Sequence, residues 1–381
     1  MLMSFKYRQI SPVIVQILFV NLEGRIGGAE ISLLLLVKYL RKDFQVAVAC
    51  PTKNGLAKRL DQMQVASLNL PEPPRRPRSS STLLIYLVKA CFELTKIIYK
   101  VKPTIVHANS FFAAMVSILP ALLTGRRLVW HARDLGRSRL GSRLCGLFCK
   151  RVIAVSDTVK DSLVSGGVKP EKIVVVHNGV EAGNCQPDVH TRRNGEAVTF
   201  ANIGQFVPWK RQNLFVEAAC RFIQKGGQGE FVLIGDDIFG RDYKYKTELI
   251  NKIKDCQTAK RITYSGWQEN LEEVWGQIDC LVHTAYQEPF GRVIIEAMAH
   301  KIPVIAIKGH GPAEIIRDGK TGILVEPGDV EGLSDAMLKI AGSKRLAVEL
   351  ATAGYKQVTW QFTAEQTANR VRKVYEQVLA A

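Results

Sequence analysis

Residues 14–50 read IVQILFVNLEGRIGGAEISLLLLVKYLRKDFQVAVAC. An apolar run at 14–20 is followed by a glycine-rich turn, a periodic stretch at 28–41 and a second apolar run at 45–50. Strand, helix and strand in this order make a βαβ unit. Its strands pair in parallel, because the helix carries the chain back across the sheet. The alternation continues outward from there. Residues 67–70, 104–107, 128–131, 152–155 and 173–176 read as further strands, separated by helical stretches such as 82–101. Their nearly all-apolar character suits a sheet covered on both faces. Residues 181–197, EAGNCQPDVHTRRNGEA, are polar and aperiodic and read as a linker. The rhythm resumes at 199–203 and runs through 231–235, 262–265, 280–283, 303–306 and 322–325, with a last helix at about 363–379. The expected fold class is therefore α/β, two Rossmann-like doubly wound domains facing across a cleft. Their expected spans are 1–190 and 191–360, with 361–381 a helix crossing back to the first domain. A chain of 381 residues is long enough for two such cores.

The charge is uneven. Residues 1–190 hold 27 Lys and Arg against 12 Asp and Glu, a net +15; the rest hold 25 against 23, a net +2. A field confined to one half points to an anionic partner. The eight cysteines lack zinc-ligand spacing and read as reduced, mostly buried thiols. Lys6 and Arg8 precede an apolar stretch from Val13 to Val20 that resembles a signal peptide, but Gln16, Asn21 and Glu23 and the lack of a small-residue cleavage site favour a first buried strand. No apolar run reaches the roughly 18–20 residues that span a bilayer. Residues 111–123 come nearest and contain Pro120. Residues 71–81, PEPPRRPRSSS, read as an extended basic loop.

Three turns carry candidate chemistry. In the first, Gly24 to Glu30, the spacing Gly-x-x-Gly-Gly departs from the dinucleotide fingerprint, yet Gly27 and Gly28 still allow close backbone approach at a helix start. In the second, GQFVPWKR at 204–211, a glycine turn leads to paired cations, a plausible diphosphate clamp. The third, EPFGRVIIEAMA at 288–299, sets two carboxylates around a helix start. The free N–H groups of Phe290, Gly291 and Arg292 suit a phosphate there, while Glu288 and Glu296 can accept from sugar hydroxyls.

Glu288 to Glu296 resembles the E-x7-E motif of glycosyltransferase family 4, retaining enzymes of the GT-B fold. The order of the other pieces strengthens the resemblance: Gly27-Gly28-Ala29-Glu30, His131 in HARDL, Ala154-Val155-Ser156, His177-Asn178-Gly179-Val180 and Asp318-Gly319-Lys320-Thr321-Gly322. Together they span roughly residues 14–340. The resemblance implies a transferase in which Lys210 holds the donor diphosphate, Glu296 bonds the ribose hydroxyls and Glu288 meets the transferred sugar. It puts His131 near the donor sugar and Gly27, Gly28 and Glu30 on the acceptor side. Gly204 and Gln205 complete the donor loop. Gln205 stands where many relatives carry arginine, and Arg211 is the candidate to compensate. His310, in a glycine-rich loop, is a further candidate. Asp236-Asp237 lacks Asp-x-Asp spacing, and the resemblance implies a metal-independent enzyme without a cofactor.

The expected partners are a nucleotide-sugar donor, UDP- or GDP-linked, and a glycan or lipid-phosphate-linked acceptor in polysaccharide biosynthesis. The basic first half suits an anionic membrane surface, and Arg133, Arg137, Arg139, Arg143, Lys150 and Arg151 alternate with Leu135, Leu140, Leu144, Leu147 and Phe148 as in a membrane-lying helix. The expected location is cytoplasmic, on the inner face of the membrane. A nucleotide-sugar epimerase of the same fold is the near alternative. A nucleic-acid-binding protein is disfavoured, because no basic–aromatic interleaving or reading module is present.

Overall fold

The computed structural model describes residues 17–74, 80–136, 138–181, 197–255, 259–268 and 270–380. The segment around Lys6 and Arg8, most of the expected linker, residues 75–79 of the basic loop and Arg137 lie outside the described residues.

The strands are β1 (Ile17–Val20), β2 (Val46–Cys50), β3 (Ala66–Asn69), β4 (Ile105–Ala108), β5 (Arg127–Ala132), β6 (Arg151–Ala154) and β7 (Ile173–Val175), then β8 (Val198–Ile203), β9 (Gly229–Ile234), β10 (Ile262–Tyr264), β11 (Cys280–His283), β12 (Val304–Ile307) and β13 (Ile323–Val325). The helices of the first half are α1 (Gly28–Leu40), α2 (Gly55–Gln62), α3 (Ser80–Val101), α4 (Phe111–Thr124), α5 (Arg139–Phe148) and α6 (Asp157–Ser165). Those of the second half are α7 (Gln212–Gln224), α8 (Tyr243–Asp255), α9 (Glu272–Trp275), α10 (Arg292–Ala299), α11 (His310–Ile315), α12 (Val330–Gly342), α13 (Lys344–Gln361) and α14 (Ala364–Ala380).

Two parallel sheets result, ordered β3-β2-β1-β4-β5-β6-β7 and β10-β9-β8-β11-β12-β13. Each is apolar on both faces. Leu18, Val20, Val106 and Trp130 pack on one side of the first sheet with α3, α4 and α5. Ile17, Phe19, Ile105 and Val129 pack on the other with α1, α2 and α14. In both sheets the strand order reverses next to the first strand, at β1/β4 and at β8/β11. Loops leaving the carboxyl ends there diverge and open a crevice, the usual ligand position of such sheets.

Helix α14 leaves the second half and packs on α1, burying Val371, Val374, Tyr375 and Val378. The crossing is pinned where Val180 and Phe362–Ala364 exchange backbone bonds, Val180 N to Phe362 O and Ala364 N to Val180 O, both 2.9 Å. Among the described residues no helix is long and apolar enough to cross a membrane. Cys50, Cys91, Cys145, Cys149 and Cys280 are free thiols, whereas Cys220 is disulfide-bonded, which departs from the expectation that all were reduced.

Candidate active site

The reversal points of the two sheets face one another across a cleft of about 290 Å³. Its first-domain wall carries Gly27, Gly28, Ser32, Arg133 and Asn178; its second-domain wall carries Gly204, Gln205, Trp209, Lys210, Trp267, Glu288 and Glu296 with the loop Phe290–Val293.

Topology brings Lys210 and Glu288 together. The loops after β8 and β11 start side by side, and cross-links hold them. Asn202 Nδ2 donates to Val282 O (2.7 Å) and to Thr284 Oγ1 (3.0 Å), while Thr284 Oγ1 donates to Lys210 O (2.8 Å). The Lys210 ammonium bonds the Glu288 carboxylate and lies 4.5 Å from the centre of the Trp209 ring. His283 Nε2 is 3.2 Å from the same carboxylate. Glu288 is only 7% exposed. Burial opposes its charge, but Lys210 and His283 outweigh that opposition and pull the carboxyl down to about 2. Burial pushes the His283 imidazole down, while the Glu288 carboxylate beside it acts in the opposite sense.

The loop between Glu288 and α10 is shaped by glycines. Gly291 has φ +99° at the N-cap of α10. A Cβ on Gly311 would lie 2.3 Å from Phe290 Cα, so the α11 backbone packs directly behind the loop. On the β8 side, Gly235 (φ +151°) would set a Cβ 1.8 Å from Gly204 O. The start of α10 leaves first-turn N–H groups without intrahelical acceptors at the cleft wall.

Glu296 lies one turn into α10 and accepts from Arg292 Nη2 at 2.7 Å. Arg292 Nη1 crosses to the first domain, donating to Ser32 Oγ and Gly179 O, each at 3.2 Å. Further contacts join the domains. Ser156 Oγ donates to Pro289 O (2.5 Å), and Glu314 accepts from the N–H groups of Asp157 and Thr158, both 2.8 Å, at the start of α6. The imidazole of His177 stacks on Phe290.

Four candidate residues lie outside the cleft lining. Arg211 does not line the cleft. Its backbone is left-handed (φ +52°), and its guanidinium lies 5.5 Å from the Tyr286 ring centre. Glu30 does not reach the cleft either. Its carboxylate turns back to accept from Gly27 N (3.0 Å) and Asn21 Nδ2 (3.1 Å), bracing the glycine turn, and burial raises it to about 7. His131 is 1% exposed and sits behind Arg133. Burial and the neighbouring guanidinium hold its imidazole neutral. His310, also outside the cleft lining, bonds Tyr286 O through Nδ1 at 2.9 Å.

Arg133 takes the position at the wall. It is buried, and burial pulls it down to about 10. Nε donates to Asn109 Oδ1 and Nη1 to Asn178 Oδ1, both at 2.8 Å. It is therefore not part of the exposed basic segment expected at 133–151, where helix α5 starts only at Arg139. Behind it a buried chain runs to the last helix: Arg133 Nη2 to His131 Nδ1 (3.5 Å), His131 Nδ1 to His107 Nε2 (3.2 Å), and His107 Nδ1 to Tyr375 Oη (2.6 Å). The sequence signals for Arg133 and His283 were slight, each a polar residue at the carboxyl end of an apolar strand.

Among the described residues, Asp157, His177 and Glu314 form a cluster with metal-ligand spacing. It lies outside the cleft lining, and Glu314 is already engaged by two backbone N–H groups and the Thr158 hydroxyl.

A helix-start wall bearing Lys210 and facing a glycine-turn wall between two Rossmann-like domains is the layout that the glycosyltransferase resemblance implies. Family models agree: "Glycosyltransferase Family 4" matches residues 26–183, and "Glycosyl transferases group 1" matches residues 188–357. The chain belongs to glycosyltransferase family 4, with the GT-B fold. It is similar to the lipopolysaccharide core biosynthesis glycosyltransferase LpsE of Rhizobium meliloti, 28% identical over 49% of this chain and 51% of that one. It thus spans about half the length of that relative. It also resembles the capsular polysaccharide biosynthesis glycosyltransferase CapM of Staphylococcus aureus, 22% identical over 80% of this chain and 84% of that protein. The crystal structure of Anabaena HepE in complex with UDP and glucose shares the fold, with a TM-score of 0.82, 22% identity and coverage of 95% and 99%.

Proposed function

We propose that the chain transfers a sugar from a nucleoside-diphosphate sugar, UDP- or GDP-linked, to a hydroxyl of a glycan or lipid-phosphate-linked acceptor in polysaccharide synthesis, with retention at the sugar carbon. The observation that carries this reading is the Lys210–Glu288 pair beside the open first turn of α10. As the bond from the sugar carbon to the diphosphate breaks, negative charge grows on the leaving group. Lys210 and the α10 N–H groups are positioned to meet it, so the scheme needs no divalent ion. The acceptor oxygen bonds to the sugar carbon on the face the diphosphate leaves, and its proton passes to a leaving phosphate oxygen. Glu288 accepts from a hydroxyl of the transferred sugar, and Glu296 from the ribose. Gly27 and Gly28 allow the acceptor to approach closely. The enzyme works at the inner face of the cytoplasmic membrane, where the basic first domain meets anionic lipid.

The test is a thermal-shift screen against UDP, GDP, ADP and their sugar conjugates, because a ligand of the folded form raises its stability by mass action. A concentration-dependent shift with one base supports the donor site. No shift at millimolar ligand, with folded protein, overturns it. Product analysis separates transfer from epimerisation: an isomerised nucleotide sugar formed without acceptor would replace this reading with an epimerase.

A further inference from the structure

Helices α3, α4 and α5 lie side by side over one face of the first sheet, α4 packing against both neighbours. Their inward sides fill the core. Their outward sides are apolar as well. On α3, Leu84, Val88 and Phe92 recur at four-residue spacing and are each about 60% exposed. On α4, Leu119 and Leu122 continue the surface, and on α5, Leu140 is 70% exposed. Most of the exposed large apolar side chains described for the chain lie on these three helices. A solvated helix layer normally turns polar side chains outward, so an apolar layer of this extent marks an interaction surface.

The charges on the layer name its occupant. Lys89, Lys96, Lys100, Arg139, Arg143 and Lys150 are exposed among the apolar residues. Glu93 is the only acidic side chain on the three helices and is tied to Lys96 at 3.0 Å. Lys96 Nζ also lies 4.2 Å from the Phe92 ring centre, its stem covering apolar surface while its charge stays outside. Two such faces would repel one another across a dimer axis. An apolar stripe on which cations far outnumber acids is complementary to a surface with an apolar interior and anionic headgroups.

We infer that the α3–α4–α5 face docks the chain on an anionic lipid bilayer. The face adjoins the cleft: α4 and α5 start from the carboxyl ends of β4 and β5, and Asp134, just before α5, lines the cleft. Docking therefore holds the first-domain wall at headgroup height, where a hydroxyl on a lipid phosphate would lie. This extends the proposed function by assigning its membrane partner to particular side chains, and binding can be measured without turnover.

The experiment is flotation of the full chain with phosphatidylcholine vesicles, with and without about a third phosphatidylglycerol. Wild type should float with the anionic vesicles at low salt and much less with phosphatidylcholine alone. The triple variant Leu84→Glu, Val88→Glu, Phe92→Glu should stay in the load fraction. The double variant Lys96→Glu, Arg143→Glu should lower partitioning by roughly tenfold or more at low salt. Both should keep the wild-type Tm and its shift with UDP, which separates lost docking from lost folding. Flotation of the triple variant equal to wild type overturns the inference. So does sedimentation showing a wild-type dimer that the triple variant dissolves, which would make the face a self-interface. If wild type floats but no nucleotide shifts its Tm, the docking face stands and the donor-site reading fails.

Discussion

Replacing Lys210 with methionine keeps most of the stem and removes the charge that stabilises Glu288. The carboxyl falls from 4.5 to about 2 in the folded protein. By the usual conversion that depression is worth about 3 kcal/mol of folded-state stability. A depressed carboxyl stabilises the fold above its unfolded value and loses that contribution as pH falls from about 4.5 towards 2. In the variant the buried carboxylate keeps only His283, and burial then drives its titration upward. The penalty should therefore be largest near pH 7, about 3 kcal/mol, and shrink towards pH 4, where the variant's raised carboxyl has taken up a proton while the wild-type one, held at about 2, stays ionised. For a unit of the size of the second domain this is a fall of roughly 6–12 °C in Tm at neutral pH. Calorimetry at pH 7 and pH 4 reads it. Adding Glu288→Gln to Lys210→Met should restore part of the loss, because the orphaned charge goes with it. Equal losses at the two pH values, or strictly additive single and double variants, would refute the pairing argument.

Four other outcomes follow from the same geometry. Glu296→Ala should raise the Kd for the nucleoside diphosphate by roughly 10- to 100-fold in calorimetric titration, the loss of hydrogen bonds to a charged acceptor; an unchanged Kd removes Glu296 from the donor site. Glu30 is raised to about 7 by burial, so the wild-type fold loses stability as pH climbs from about 4.5 through 7. Glu30→Gln should leave Tm nearly unchanged at pH 5 and raise it relative to wild type at pH 8. Arg133→Lys should cost about 2 kcal/mol in urea unfolding, because an ammonium cannot span Asn109 and Asn178 as the guanidinium does. Gly235→Ala should push the β8 and β9 loops apart at Gly204 and abolish the nucleotide thermal shift, with the far-ultraviolet spectrum kept.

The central strands were legible because they bury both faces and so appear as uninterrupted apolar runs, as in the ILFV of β1 and the VIAI of β12. Lys210, Glu288 and Glu296 were legible as candidates because glycine turns and a helix start frame them locally. The pairing of Lys210 with Glu288 was not, since it depends on the strand order placing β8 beside β11. Arg211 follows Lys210 directly, yet the two cations meet different partners, Glu288 for Lys210 and the Tyr286 ring for Arg211. Glu30 stands three residues after the cap of its own helix, a spacing that allows the carboxylate to fold back on Gly27; reading it as an acceptor contact overlooked that local use. Arg133 looked like one member of a basic surface run. Its burial depends on Asn109 and Asn178, which lie far from it in sequence and close to it only after folding.

Helix α14 bears on the order of assembly during translation. Ala368, Val371, Val374, Tyr375 and Val378 belong to the core of the first domain, and the Tyr375 hydroxyl closes the buried chain through His107 and His131 to Arg133. A ribosome making this chain has finished β1 to β7 long before it reaches those residues. The first half must wait with one face of its sheet partly uncovered and its histidine pair without the tyrosine, while the whole second half is synthesised. A nascent chain stalled before residue 364 should then be held as a chaperone client and protease target, and the last 17-residue helix, supplied as a separate peptide, should shield it.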